Sequence, residues 1–230
     1  MASTSTLLSL RTRARQRADM EGSLFVSDAE LNQLINTSVA ELYDLLVSVN
    51  SEYYLSSQTL TLIPGTDTYS LPVDFYKLQG VDGIIDSQGN AYTLRPFNFA
   101  ERNNALYTTA ASGPIVSLRY RLLGQNMRFI PVPSAAGSIK LWYISIPTPL
   151  ALDTDTFDGI NGWEEYVIVD AAMKMLIKEE SDVSALMSEK QGLTARINTM
   201  ASSRDSGTPD RVVDVTRVNP WDLLNHWGQE

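Results

Sequence analysis

The chain has 230 residues, of which 43% are apolar and 20% charged, a balance typical of a folded globular protein with a substantial core. It contains no cysteine and one histidine, His226, which excludes disulfides, thiol chemistry, cysteine metal sites and any site that needs several histidines from one chain. The net charge of -9 disfavours a protein that grips nucleic acid by neutralising phosphates, although an acidic wall suits a channel through which DNA must slide.

The first predicted helix spans residues 4–20, and its apolar side is narrow. That side consists of Leu7, Leu8, Leu10, Ala14 and Ala18. The other surface carries arginines at every second position, namely Arg11, Arg13, Arg15 and Arg17. Side chains two positions apart do not share a helix face. The arginines are therefore predicted either to form a solvated or salt-bridging surface or to contact acidic partner subunits or DNA.

The second predicted helix spans residues 27–50 and begins with a capping box. The Ser27 hydroxyl can accept a hydrogen bond from the Glu30 amide, and the Glu30 carboxylate can return to the Ser27 amide. A regular apolar stripe follows, made of Leu31, Leu34, Ile35, Leu42, Leu45, Leu46 and Val49. This pattern predicts a helix that packs one face on a core.

From residue 55 the apolar period changes from 3.6 to 2, and proline and glycine mark the turns. The predicted strands span residues 59–63, 68–72, 76–81, 83–86, 92–94, 116–122, 127–130 and 138–146. Gly89-Asn90 and Gly124-Gln125-Asn126 predict hairpin turns, whereas residues 96–102 predict one helical turn. Short strands at this spacing favour an antiparallel sandwich or a small barrel.

A polar connection over residues 148–161 leads to a predicted helical hairpin, with helices over 163–180 and 183–204. The first helix is apolar on more than one face and should be central, whereas the second has one stripe and should flank it. The predicted fold class is therefore α+β: an α-helical bundle of about four helices with an inserted antiparallel β sandwich or small barrel and an extended C-terminal tail.

The chain is predicted to divide into four regions. They are the first bundle helices (1–54), the inserted β domain (55–147), the loop and hairpin that complete the bundle (148–204) and the C-terminal tail (205–230). The tail loses periodicity yet ends in an apolar cluster of Trp221, Leu223, Leu224 and Trp227. Because exposed apolar clusters invite aggregation, we expect the tail to dock on its own body or on a partner.

The sequence lacks the common catalytic motifs, including the nucleophile elbow, the phosphate-binding loop, the dinucleotide fingerprint and the zinc-protease helix. Glu164 and Glu165 are neighbours on a helix and point about 100° apart, so they favour a role at the positive end of the helix dipole over a shared substrate. The acidic run of Asp153, Asp155 and Asp158 lacks the glycine and the third oxygen ligand of a calcium loop. We therefore expect neither an enzyme nor a cofactor or metal.

A membrane protein is not expected either, because no apolar run approaches the roughly 20 residues of a membrane helix. The N-terminus also lacks the order of charged, apolar and small residues that marks a signal peptide. We therefore expect a protein made in the cytoplasm.

Four stretches carry a family resemblance: FVSDAEL (25–31), GTDTYSLPVDF (65–75), GWEEY (162–166) and KEESD (178–182). With them the chain resembles the head-to-tail adaptors of tailed bacteriophages, the connector rings also called head completion or tail tubular proteins. The resemblance implies a bundle interrupted by a β domain, a ring of twelve copies beneath the portal, and a C-terminal segment that docks on portal subunits. It assigns that docking to Trp221, Leu223, Leu224 and Trp227.

The resemblance also implies a tail or nozzle protein as a second partner, DNA that passes through without sequence-specific binding, and a place at the head–tail junction of the virion. Two other functions stay open. One is a tail-tip or receptor-binding module whose β block recognises a surface glycan. The other is a hydrolase that uses acidic residues such as Asp153, Asp155 or Glu164.

Overall fold

The computed structural model describes residues 4–50, 52–86, 88–102, 118–158 and 162–202. Its helices are α1 (Leu7–Arg17), α2 (Asp28–Val49), α3 (Glu164–Lys178) and α4 (Ser184–Ser202), with a short 3-10 turn over Phe99–Glu101. Its strands are β1 (Thr4–Thr6), β2 (Leu55–Leu62), β3 (Thr68–Ser70), β4 (Phe75–Ile84), β5 (Ala91–Thr93), β6 (Arg95–Pro96), β7 (Arg119–Leu123), β8 (Asn126–Ile130), β9 (Gly137–Ser145) and β10 (Thr156–Asp158). The predicted α+β class is confirmed.

The first helix is shorter than predicted because the chain before it is extended. Thr4–Thr6 pair antiparallel with Thr156–Asp158, and the Thr6 hydroxyl accepts from the Ser9 amide at 3.2 Å, which starts α1 at Leu7. The prediction of a helix over residues 4–20 is therefore wrong at both ends. The same pairing places a strand in the segment 148–161, for which the sequence predicts only a polar connection.

The N-terminus of α2 confirms half of the predicted capping box. The Ser27 hydroxyl accepts from the Glu30 amide at 3.3 Å. The Glu30 carboxylate does not return to Ser27, because both of its oxygens accept from Lys178 Nζ at 2.7 Å. Glu30 thus ties the start of α2 to the end of α3 instead of closing its own turn.

Helix α3 is the centre of the bundle, as its two apolar faces predict. It packs against α1, α2 and α4, and it is buried from Tyr166 to Met173. Helix α4 contributes only Ile197 and Ala201 to the buried core of the bundle. The second helix of the hairpin is therefore a flank.

The β block is a sandwich of two four-stranded sheets. Their strand orders are β2-β9-β4-β5 and β3-β8-β7-β6, and residues of both sheets, including Leu62, Leu141, Met127 and Phe129, form one buried core. All pairs in the two sheets are antiparallel except β6 with β7, which run parallel. Of the two predicted architectures, the sandwich is confirmed.

Several predicted boundaries in the β block are wrong, among them the start of β2, which lies at Leu55 instead of residue 59. Residues 75–84 form one strand, because Asp82, at the predicted break, pairs with Lys140 of β9 on one side and Thr93 of β5 on the other. Arg95–Pro96 form a strand, so the helical turn begins at Phe99 instead of residue 96. Strand β7 begins at Arg119, and residues 103–117 lie outside the described part of the chain.

Aromatic side chains join the β sandwich to the bundle. Tyr43 of α2 donates a hydrogen bond to the Ser145 carbonyl of β9 and stacks on Tyr54, with 4.1 Å between ring centroids. Tyr76 of β4 donates to Asp44 of α2 at 2.8 Å. Burial raises the pKa of Tyr43 to about 12. These contacts fix the orientation of the sandwich on the C-terminal half of α2.

Candidate functional site

The arginines of α1 form two rows, each paired within the chain. In the first row, Arg11 contacts Asp153 and also Asp28, the latter at 3.1 Å. Arg15 donates to the carbonyl oxygens of Ser23 and Val26 at 3.1 and 2.7 Å and to Asp28 at 2.9 Å. Because residues four apart share a helix face, one row ties α1 to the α1–α2 connection and to the segment before β10.

The second row faces the other helices. Arg13 and Arg17 both contact the Glu165 carboxylate, at 2.7 and 3.1 Å, and Arg17 also contacts Glu189 of α4. Glu165 thus lies in the first turn of α3, as predicted, and also bridges α1 to α3. These side chains are 29 to 40% exposed, so the second row lies at the surface.

The structure therefore shows the salt-bridging alternative for Arg11, Arg13, Arg15 and Arg17. Contact of these four residues with a subunit or with DNA stays a prediction. The sequence places them around a helix without indicating their partners, because Glu165 and Asp153 are distant in the chain and only the fold brings them to α1.

A buried polar cluster connects α2, α3 and α4. Asp170 of α3 is 2% exposed, and its carboxylate accepts from Ser38 of α2, Lys174 of α3 and Lys190 of α4, each at 2.6 Å. Both lysines also reach Glu41 of α2, at 2.7 and 3.1 Å. A carboxylate buried this deeply is stable as an ion only when its oxygens are paired, and here both are.

Within the cluster, Asp170 and Lys190 stabilise each other's charged forms. Burial by itself raises the pKa of Asp170, but hydrogen bonds from Lys174, Lys190 and Ser38 outweigh burial and hold that pKa below its usual range. Burial alone lowers the pKa of Lys190, yet the hydrogen bond and charge of Asp170 raise it above its ordinary value. Asp170 and Lys190 therefore form a fixed ion pair that does not titrate near neutral pH.

Sequence reasoning missed this cluster. The signal available was an aspartate in the middle of an otherwise apolar helix, with Lys174 one turn later. The other two partners, Ser38 and Lys190, lie on different helices, so no local spacing connects them with Asp170.

Two of the acidic residues considered for chemistry, Asp153 and Asp155, have structural partners, whereas Glu164 has a buried carboxylate oxygen without a hydrogen-bond partner among the residues that the structure describes. Asp153 is paired with Arg11, and the Asp155 carboxylate accepts from the amides of Ala151 and Leu152 at 2.7 and 2.8 Å. Those two hydrogen bonds lower the pKa of Asp155. Within the described ranges, no three acidic or histidine side chains converge in a way that could hold a metal ion.

The surface carries apolar side chains that could meet other subunits. One group lies where the α1–α2 connection meets the end of α3, with Leu24 97%, Ile177 56% and Phe25 49% exposed. The Lys178 ammonium lies 4.9 Å from the centre of the Phe25 ring. The predicted docking residues Trp221, Leu223, Leu224 and Trp227 lie outside the described residues, so their docking role stays a prediction.

No described helix combines the length and the apolar character that crossing a membrane would need. No curated protein matches the chain. The sequence profile of one family, the SU10 adaptor protein, matches residues 5–213 and so covers both halves of the bundle and the β sandwich between them. The chain belongs to the SU10 adaptor protein family and is a structural adaptor protein of a bacteriophage.

Proposed function

We propose that this protein is a head-to-tail adaptor that forms a ring, of twelve copies by resemblance, between the portal and the tail of the virion. DNA passes through the ring without sequence-specific binding. The family match over residues 5–213 carries the proposal. The role is mechanical: the protein holds a shape, binds neighbours on several sides and catalyses no reaction.

The packing of the chain is suited to that role. Ion pairs join α1 to α3, and the buried Asp170 cluster joins α2, α3 and α4, so the bundle resists shear between its helices. Tyr43 and Tyr76 fix the sandwich on α2. The net charge of -9 makes the protein acidic, so it repels DNA phosphates and lets DNA slide past without being retained.

Half-exposed aromatics on the β block are the one observation that favours a glycan-binding module. They are Tyr76, Tyr92 and Phe99. Two of them have other partners, because Tyr76 donates to Asp44, and Arg102 lies 4.6 Å from the centre of the Phe99 ring. Tyr92 lies opposite Gly83 of β4, seven residues along the strand from Tyr76, and Phe99 lies beside Arg121 of the other sheet, so the three rings do not form one stacking platform. We therefore place this function second.

The test is electron imaging of the protein mixed with the portal of the same virion, beside each component alone. The adaptor predicts an added ring stacked on the narrow end of the portal. Removal of residues 206–230 should abolish the added ring while circular dichroism shows the same helix content. If both proteins are folded and no added density appears, the proposed adaptor function is wrong. If the truncated chain still forms the ring, the proposed docking role of the tail is wrong.

A further inference from the structure

One edge of the β sandwich is unusually open to another strand. Strand β2 forms the edge of its sheet and pairs only with β9, over all eight residues from Leu55 to Leu62. An edge strand presents unpaired backbone N–H and C=O groups along its outer side. Within the described residues, nothing else pairs with that side of β2.

The other three sheet edges are protected. Strands β3 and β5 have three residues each, and β6 consists of Arg95 and Pro96. Short length, charge and proline are the usual means by which proteins block an edge. Strand β2 has none of them, because its sequence LSSQTLTL is eight residues long and contains neither a charge nor a proline.

The chain offers a matching strand beyond α4. Residues 211–218 read RVVDVTRV, in which four valines and one threonine give a strong preference for extended backbone. Eight residues, 203–210, separate this stretch from the end of α4 and span up to about 28 Å when extended. That length allows the stretch to leave its own copy.

The start of this connection lies near β2. Helices α3 and α4 pack together and are joined by five residues, so they run antiparallel and α4 ends beside the start of α3. At that end, the Trp163 ring lies 6.1 Å from the Tyr53 ring, two residues before β2. Each copy therefore presents the start of β2 and the start of the connection at the same end of the bundle.

We propose that residues 211–218 of one copy add as a strand to the β2 edge of the neighbouring copy. The inference rests on the proposed ring and names one of its contacts. A ring closes only when each copy offers two different surfaces, and an edge with a separate strand donor is such a pair. Pairing of β2 with β2 would instead make a two-fold dimer and stop there.

The absence of cysteine makes a direct test possible. Chains with Thr59→Cys, an exposed position on β2, are mixed with chains that carry one cysteine at each position from 211 to 218 in turn, and are oxidised after assembly on the portal. We expect disulfide-linked dimers at alternating positions, since alternate side chains of a strand share a face. Thr12→Cys, at an exposed position on α1, is the matched control and should give none.

Proline substitutions test the backbone pairing. Alternate N–H groups of an added strand face its partner, so of Val212→Pro and Val213→Pro one removes a bond to β2 and the other does not. One variant should weaken ring formation about tenfold, as for a lost hydrogen bond, and the other should weaken it much less. Equal effects of the two variants would contradict a paired strand.

The outcomes separate this inference from the proposed function. A wild-type ring on the portal without crosslinks to Thr59→Cys overturns the strand contact and leaves the adaptor standing. Dimers of Thr59→Cys with itself, or a crosslink only within a chain that carries both cysteines, also overturn it. If no ring forms on the portal, the proposed function fails and this contact fails with it.

Discussion

Asp170 is a single buried charge that connects three helices. Its two oxygens receive hydrogen bonds from Ser38, Lys174 and Lys190, so removal of the carboxylate leaves two lysines facing one another between α3 and α4. Breaking a buried pair is costly because the remaining charge has been taken out of water without a partner. The loss of stability is smaller here because Lys174 and Lys190 both remain paired with Glu41.

We expect Asp170→Asn to lower the free energy of unfolding by about 3 kcal/mol, the low end for breaking a buried ion pair. Denaturant titration at neutral pH measures it. Glu165→Gln, which removes the half-exposed pairs to Arg13 and Arg17, is the control and should cost about 1 kcal/mol or less. A smaller loss for Asp170→Asn than for the control would contradict the role of the cluster.

The acid limb of the stability curve should depend on the same residue. The pKa of Asp170 is lowered in the folded protein. The ionised carboxylate therefore contributes its full stabilisation to the fold at a pH above the ordinary aspartate pKa of about 4, and this contribution is lost as the pH falls through the folded pKa. The wild type and Asp170→Asn should therefore differ at neutral pH and converge in acid. If the free energies of unfolding of the two proteins differ by the same amount from pH 7 to pH 2, ionisation of Asp170 does not contribute to stability.

At the scale of elements, the connection between α1 and α2 depends on the planar guanidinium of Arg15. This group donates to two carbonyl oxygens of the connection and to Asp28 at the start of α2, and its side chain is 15% exposed. A lysine ammonium cannot place donors in that fixed fork. Arg13 makes one exposed pair and provides a comparison on the same helix.

We expect Arg15→Lys to destabilise the protein by about 1 to 2 kcal/mol, because hydrogen bonds from a charged group to partly buried carbonyls are lost. Arg13→Lys should cost less than about 0.5 kcal/mol, as for a surface pair. Thermal unfolding of both variants in parallel checks the difference. Equal losses would mean that neither arginine anchors the connection.

The elements that the sequence predicted well are those whose signal is local. Apolar periodicity predicted all four described helices, and the Ser27 cap predicted the start of α2 to within one residue. Strands β1, β6 and β10 were missed because each is defined by a distant partner. Thr4–Thr6 are extended only because Thr156–Asp158 pair with them, and no local pattern at residues 4–6 indicates that partner.

The candidate site was less predictable than the elements. The arginines of α1 are visible in the sequence, but their acids lie on α2, α3, α4 and the connection before β10. The same holds for the Asp170 cluster. Which side chains pair with one another depends on how the helices pack, so these partners can be identified only once the fold is known.

At the scale of the whole molecule, Tyr43 couples the sandwich to the bundle. Its hydroxyl donates to the Ser145 carbonyl, and its ring stacks on Tyr54 and lies 6.2 Å from Tyr76. Tyr43→Phe keeps the ring contacts and removes the hydroxyl. We expect a loss of about 1 kcal/mol, and Tyr92→Phe, at an exposed position, should be neutral.

The alkaline limb of stability gives a second measurement of Tyr43. Its pKa is about 12 in the folded protein because of burial, above the ordinary value of 10.0. The protonated phenol therefore stabilises the fold below the ordinary value, and this stabilisation is lost as the pH rises through the folded pKa. Between pH 10 and 12 the wild type should lose more stability than Tyr43→Phe, as followed by urea titration. Parallel losses would contradict the burial of this hydroxyl at the junction.

The pairing of β2 with β9 also bears on how quickly the chain can fold. The bundle needs α1 and α2 to meet α3 and α4 across the whole insertion, and closing so long a loop carries a large entropic cost. In the sandwich, Leu55 at the start of the insertion lies directly opposite Ile144 near its end. Once the sandwich has formed, the two halves of the bundle are held side by side, and the search that remains is nearly local. We therefore expect the inserted domain to act as the template on which the bundle closes.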